Sequence, residues 1–445
     1  VTGTIAPPRR HLLRPADPVE RALTLSTAAA SLAKGVLFGV SALFFTTVIG
    51  LSAAMVGLGL TIAGGVGVGA AFAAGYLSDR VGAGRVLLAA TVGQGLALAA
   101  YLVTHTSVAF CLTACAAVGA QGAHRTAMTT LLARQFTGVD RVEVRARLRV
   151  TTNVFVGLGS ASAAGALVVG TASGYLIAML SAAALVAASA VPLRRLNALV
   201  TPVDERPLPR AAGRSPLRDR TYLAVAALNA VMTMQFGLLT IGMPLWVTGH
   251  TRAPAATVAM LLTLNTLIVA LFQVRAARRA RDPASSGRAV ARAGLLLVAA
   301  CLLYALAAAA TPAPAVGILV LAALAHSAGE ILAEAGGWSL AFDLADARNV
   351  GAFLGVSQTG TAAGTMLAPV VVTTTAIDHG GPGWLALAAL FLAAGAGTRL
   401  VTGPARCPTC AMGESAAPTE HPDPDPARWH DDRIGRRSHR AHDAP

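Results

Sequence analysis

His326, Glu330, Glu334 and Trp338 are spaced four residues apart in a stretch from Pro312 to Phe342 that carries no other charge. On a helix that spacing puts all four on one stripe. A carboxyl group in an apolar cavity is the kind of group that takes up and releases protons near neutral pH, so Glu330 and Glu334 are the candidates for coupling a proton to another event. Other polar groups stand in equally apolar surroundings: Lys34, the pair His124 and Arg125, and Asn229 and Gln235. Arg125 could meet Glu330 as a gate or clamp a substrate. Three less eventful roles compete. Glu334 could sit at the membrane interface, Glu330 could be a structural partner of Lys34 or Arg125, and Lys34 could snorkel toward water. His124 and His326 read as hydrogen-bonding groups in a cavity and not as metal ligands. Gln94, Asn153, Asn265, Gln273 and Gln358 read as hydrogen bonds between helices.

These residues need long apolar helices to hold them. Of the 445 residues 55% are hydrophobic and 13% charged, with a mean hydropathy of +0.62. Soluble domains are about 25% charged. Apolar stretches of about 20 residues recur, long enough to cross a bilayer as helices. Twelve are expected, at 25–47, 51–77, 86–104, 107–133, 148–170, 173–192, 221–248, 254–274, 289–309, 314–340, 350–376 and 383–402. Glycine (45) is abundant and aromatics are 5%, as suits closely packed membrane helices. The ionisable candidates then fall on the first, fourth and tenth spans, and the amides Asn229 and Gln235 on the seventh.

Arginine sets the orientation. Of the 35 Lys and Arg, 32 fall in the two tails and every second gap between spans, the five from Arg134 to Arg149 among them. The opposite gaps hold Arg252 alone. The positive-inside rule puts both termini in the cytoplasm. The net charge of +14 then faces anionic lipid headgroups, not nucleic acid. The expected organisation is a cytoplasmic tail (1–20), a six-helix bundle (21–192), a Pro- and Arg-rich linker (193–220), a second six-helix bundle (221–402) and a disordered cytoplasmic tail (403–445). No cleavable signal peptide is expected, because Val1 to Arg21 is polar and leads straight into a span. Cys407 and Cys410 form half a zinc site with no matching second half, so no metal is expected, and no cofactor. A phosphate-binding GxxxxGK[ST], GxSxG and HExxH are all missing, which excludes an ATP-driven pump and leaves no enzyme signature.

The gap between the second and third spans reads Gly75-Tyr-Leu-Ser-Asp79-Arg80-Val-Gly82-Ala-Gly-Arg85. Gly82 allows a tight turn, and Asp79 can pair with a neighbouring helix N-terminus or with Arg. The segment closely resembles the loop motif of the major facilitator superfamily, G-x-x-x-D-R/K-x-G-x-R/K-R/K. Gly75, Asp79, Arg80, Gly82 and Arg85 match, while Gly84 replaces a basic residue. With the span count and central linker, the resemblance covers about residues 20 to 402. The equivalent loop in the second half (Arg275 to Arg292) lacks the core of the motif. The fifth span has Gly157, Gly159, Gly165 and Gly170 but lacks the Gly-Pro of the antiporter motif.

The resemblance implies an all-α fold of two pseudo-symmetric six-helix bundles rocking about a central cavity. It implies that the Asp79 loop braces the bundles on the cytoplasmic side, and that the protein works as a monomer. The expected function is proton-coupled export of a small amphipathic or drug-like molecule, in the manner of the drug-efflux branches. A proton-coupled importer of a small nutrient keeps the same fold. A membrane sensor or scaffold acting through the C-terminal tail is the rival of another class.

Overall fold

The computed structural model describes residues 17–169, 171–199, 214–279 and 282–403. The N-terminal segment, half of the expected linker and the tail with Cys407 and Cys410 lie outside them. The described residues form helices and no strand: α1 (Pro18–Leu43), α2 (Ala53–Val81), α3 (Ala83–Ala100), α4 (Ser107–Gln135), α5 (Gly138–Val169), α6 (Ala172–Leu199), α7 (Arg220–His250), α8 (Ala256–Ala277), α9 (Pro283–Ala307), α10 (Pro312–Asp343), α11 (Val350–Ile377) and α12 (Gly381–Val401). Eleven are long and apolar enough to cross a membrane. The twelfth, α5, carries Asp140, Arg141, Glu143, Arg145, Arg147 and Arg149 in its first turns.

Local chemistry sets the helix ends. The carboxylates of Asp17, Asp219 and Asp282 and the hydroxyls of Ser52 and Thr106 accept N–H groups of the first turns of α1, α7, α9, α2 and α4. Between α2 and α3 the chain reverses at Gly82, whose φ of 95° is open to glycine and costly for other residues. Short π-turns interrupt α7 at Leu238–Gly242 and close α11 at Thr373–Ile377, and another, Phe44–Val48, follows α1.

Several boundaries differ from the sequence reading, those of α5 and α6 among them. α5 starts at Gly138, ten residues before the expected span, because a helix tolerates charges that a hydropathy window rejects. α6 continues through Pro192 to Leu199, so the start of the expected linker (193–220) is helical.

The cores segregate. One cluster, around Leu238, Trp246, Tyr304, Trp384 and Phe391, draws only on α7 to α12. Two others, around Phe44 and Phe110 and around Leu23, Leu87 and Leu131, draw only on α1 to α6 and the π-turn after α1. A small apolar seam joins the halves, with Val142 and Ala146 of α5 against Val274, Ala277, Phe342, Val350 and Leu354. Gly360 and Gly364 of α11 pack on the backbone of Ala226 and Ala230 in α7, a close helix crossing. Large apolar side chains such as Phe38, Leu96, Leu112 and Leu400 cover the outside and are about 70% exposed (67–70%), as a lipid-facing surface requires.

Candidate functional site: a central cavity braced by ion pairs

Between the halves lies a cavity of about 410 Å³, walled by α1, α3, α4, α5, α6, α7, α10 and α11. Lys34, His124, Arg125 and Glu334 line it, as do Gln94, Asn153 and Gln358. Two lining residues that the sequence reading assigned to a cytoplasmic loop are Arg145 and Arg149 of α5. Asn229 opens into a narrow crevice beside Glu334 and Trp338. Gln235 and His326 do not line the cavity. Both are buried, at 1% and 0% exposure. His326 has no partner for either ring nitrogen, and Gln235 none for its side-chain carbonyl. His124 shares a 2.9 Å hydrogen bond with Thr91 of α3.

Glu330 meets Arg149 rather than Lys34 or Arg125. Arg149 Nη2 donates to Glu330 Oε1 and Nη1 to Glu334 Oε2, each at 2.5 Å. Asn265 of α8 donates to the other Glu330 oxygen at 3.0 Å and to Ser327 at 3.0 Å. Trp338 Nε1 donates to Glu334 at 3.1 Å. Glu330 is 3% exposed, so its charge is compensated by Arg149 and Asn265 and not by water.

The contact repeats along both helices. Arg141, Arg145 and Arg149 are four apart on α5, as Glu330, Glu334 and Trp338 are on α10, and the two stripes mesh in opposite chain directions. Arg141 pairs with Asp343 and lies over the Phe342 ring. Arg145 stacks on Trp338, 4.3 Å from the ring centroid. Arg149 closes the row on Glu334 and Glu330, with Phe236 4.9 Å away. The spacing of the arginines was the available signal. The short loop read between the fourth and fifth spans hid it.

The Asp79 loop sits beside this row. Asp79 Oδ1 accepts from Arg134 Nη2 at 2.7 Å and from the Gly351 N–H at 2.8 Å, and Oδ2 accepts from the Ala352 N–H at 2.7 Å. A carboxylate from the first half thus caps the N-terminus of α11 in the second, where free N–H groups attract negative charge. Gly75 makes this possible. A methyl group there would lie 2.4 Å from the Gly351 carbonyl oxygen. Arg80 and Arg85 are exposed. Farther along, Glu143 joins Arg278 of α8 at 2.8 Å and Arg147, which also holds Glu20 at 2.6 Å. Ion pairs between the halves thus join α5 to α10, through Arg141 and Arg149, and α5 to the end of α8, through Glu143 and Arg278.

The loop from α10 to α11 gives a pH test outside the apolar region. Partial burial pushes the Asp346 carboxyl up, but the N–H groups of Arg348 and Arg214 outweigh it and hold the group below its ordinary value. The stabilisation is therefore present above the unfolded carboxylate value of about 3.9 and is lost as pH falls through the depressed folded value. Asp346→Asn is expected to speed amide exchange at Arg214 at pH 7. At pH 3 and below the difference from wild type should shrink. Equal exchange at pH 7 would rule out the tether.

The sequence model of the Major Facilitator Superfamily matches residues 23–369. No curated protein matches the chain in sequence. Solved structures share its fold. The human organic anion transporter MFSD10 (TETRAN) is 18% identical, with a TM-score of 0.66 over 86% of this chain and 100% of that one. The proton:xylose symporter XylE is 14% identical, with a TM-score of 0.65 over 85% and 94%. A bacterial homologue of the iron transporter ferroportin in an outward-facing state is 15% identical, with a TM-score of 0.68 over 86% and 98%.

Proposed function

The chain belongs to the Major Facilitator Superfamily and is a multi-pass membrane transporter, and from that premise we propose that it exports a small amphipathic, drug-like molecule in exchange for protons. Twelve spans, with α5 among them, both termini in the cytoplasm, a monomeric working unit and a bacterial cytoplasmic membrane complete the proposal. In this reading the Asp79 end is cytoplasmic, and it is the closed end in the conformation described. The observation that carries the mechanism is the clamp of Arg149 on Glu330 and Glu334, which joins the two halves beneath the cavity.

The clamp needs ionised carboxylates. A proton arriving from outside neutralises Glu330 or Glu334, weakens the hold on Arg149 and lets the cytoplasmic end open. Release of that proton inside restores the carboxylate and allows the end to close again. Each cycle thus carries a proton inward. Export requires the substrate to travel on the deprotonated leg, whereas import would put it on the protonated leg.

Everted membrane vesicles energised by respiration, with an internal pH dye and a panel of amphipathic compounds, test this. A compound that dissipates the proton gradient in wild-type vesicles and not in Glu330→Gln vesicles is the expected result. An equal response in both would remove Glu330 from coupling. A compound that moves down the proton gradient with the protons would establish import.

A further inference from the structure

We propose that the transported molecule is a small organic anion, and that Lys34, Arg125 and Arg145 hold its oxyanion. The proposal rests on the transporter reading above and adds the chemical class of the substrate.

The argument begins with charge. The cavity is lined by four basic side chains, Lys34, Arg125, Arg145 and Arg149, and by one carboxylate, Glu334. Glu330 lies just behind, and both carboxylates are already engaged by Arg149. Among the described residues Lys34, Arg125 and Arg145 have no ion-pair partner. The acidic residues of the first half that could reach them are used elsewhere. Asp79 holds Arg134 and the α11 N-terminus, Glu20 holds Arg147, and Glu143 holds Arg147 and Arg278. Lys34 and Arg125 are exposed to the chamber and Arg145 is half-buried; basic groups held inside an apolar bundle without a carboxylate partner are retained where they meet a ligand or water. They converge from α1, α4 and α5 on one chamber, so one ligand can meet all three.

The geometry favours an oxyanion over a halide. The guanidinium carbon of Arg145 lies over the Trp338 ring and its Nε–H has no hydrogen-bond partner, so the group has N–H donors to offer a planar, two-pronged partner such as a carboxylate. Lys34 adds a point charge, its Nζ lying 5.2 Å from the Phe38 ring centroid. The rest of the wall suits an organic body. Leu37, Met128, Val186 and Phe236 supply apolar surface, and Gln94 and Asn153 supply amides. A chamber of about 410 Å³ lies within the range of small-molecule sites.

The test uses the full-length protein in detergent at low chloride, with four probes built on one ring system: 2-naphthoate, 2-naphthalenesulfonate, the neutral 2-naphthamide and the cationic 2-naphthylmethylammonium. Binding is read by calorimetry. The two anions should bind, with the amide and the ammonium weaker by at least about tenfold, the usual scale of one charge-assisted contact. Arg125→Gln should lower anion affinity by about tenfold and leave the weak amide binding unchanged. Arg125→Lys should restore part of the loss, and a monodisperse elution profile for each variant checks its fold. Binding of the ammonium as tight as that of the anions, failure of both anions to bind, or undiminished anion affinity in Arg125→Gln and Lys34→Gln would each overturn the proposal. The two readings fail separately. Anion binding without any proton-linked flux would leave this site standing and remove the coupled-transport reading. Proton-linked flux of cationic compounds, unchanged by Arg125→Gln, would do the reverse.

Discussion

Arg149→Gln is expected to abolish proton-coupled transport and to unlock the Asp79 end of the protein. Arg149 is held by two carboxylates of α10, and one of them, Glu330, is nearly inaccessible to water. Removing one partner of a buried ion pair costs about 3–5 kcal/mol, because the remaining charge is left uncompensated. With about 1.4 kcal/mol per factor of ten, the closed state should lose at least roughly a hundredfold in population against the open one. Val142 reports the change. It is 3% exposed in the apolar seam between the halves, so a cysteine placed there, in a background lacking the native cysteines, should resist maleimide while the end is closed. Rapid labelling of that cysteine in Arg149→Gln, with no transport, is the expected pair of results. Arg149→Lys keeps the charge but cannot fork between two carboxylates and should fall between. Protection equal to wild type together with normal flux would mean that the clamp holds nothing.

Gly75→Leu should have an effect of similar size by a different route. The added Cβ would lie 2.4 Å from the Gly351 carbonyl oxygen and 2.8 Å from the Gly355 Cα. Both are backbone atoms of a packed helix, and neither can rotate away. The contact between α2 and α11 therefore cannot form, and the Asp79 carboxylate loses its seat on the α11 N-terminus. Transport should fall below detection, and the Val142 cysteine should label at every pH. Asp79→Asn is the milder comparison. It keeps the shape and one acceptor oxygen but removes the charge, a loss on the scale of a helix cap, about 0.5–2 kcal/mol, so reduced flux and partial protection are expected. Wild-type flux in Gly75→Leu would show that the protein works without closing this end.

Much of the fold was legible in the sequence because its signals are local. Apolar runs of membrane length marked the helices, and the alternating arginines ordered the gaps. The four-residue spacing of Glu330, Glu334 and Trp338 placed them on one face of α10. Gly75, Asp79 and Gly82 announced a tight turn and carried the family resemblance. Charged residues at a helix start were less legible. Hydropathy placed Arg141, Arg145 and Arg149 in a loop, although their spacing already described a helical stripe.

What only the tertiary structure decided is who meets whom. Periodicity fixes the face of a helix and rise per residue fixes depth, but neither fixes which way that face turns in the bundle. Hence Glu330 could be assigned to Arg125 or Lys34 from the sequence, and the packing of α5 against α10 gave it to Arg149. The same packing left Arg125, Lys34 and Arg145 without an ion-pair partner among the described residues and so gave the cavity its sign. It also carried Asp79 to the N–H groups of Gly351 and Ala352, more than 270 residues away in the chain. The sequence by itself determined where the apolar helices run and that the α10 carboxylates share one face, because hydropathy and helical periodicity are properties of one segment. The partners of those carboxylates were decided by the assembled halves, because an ion pair is a property of two.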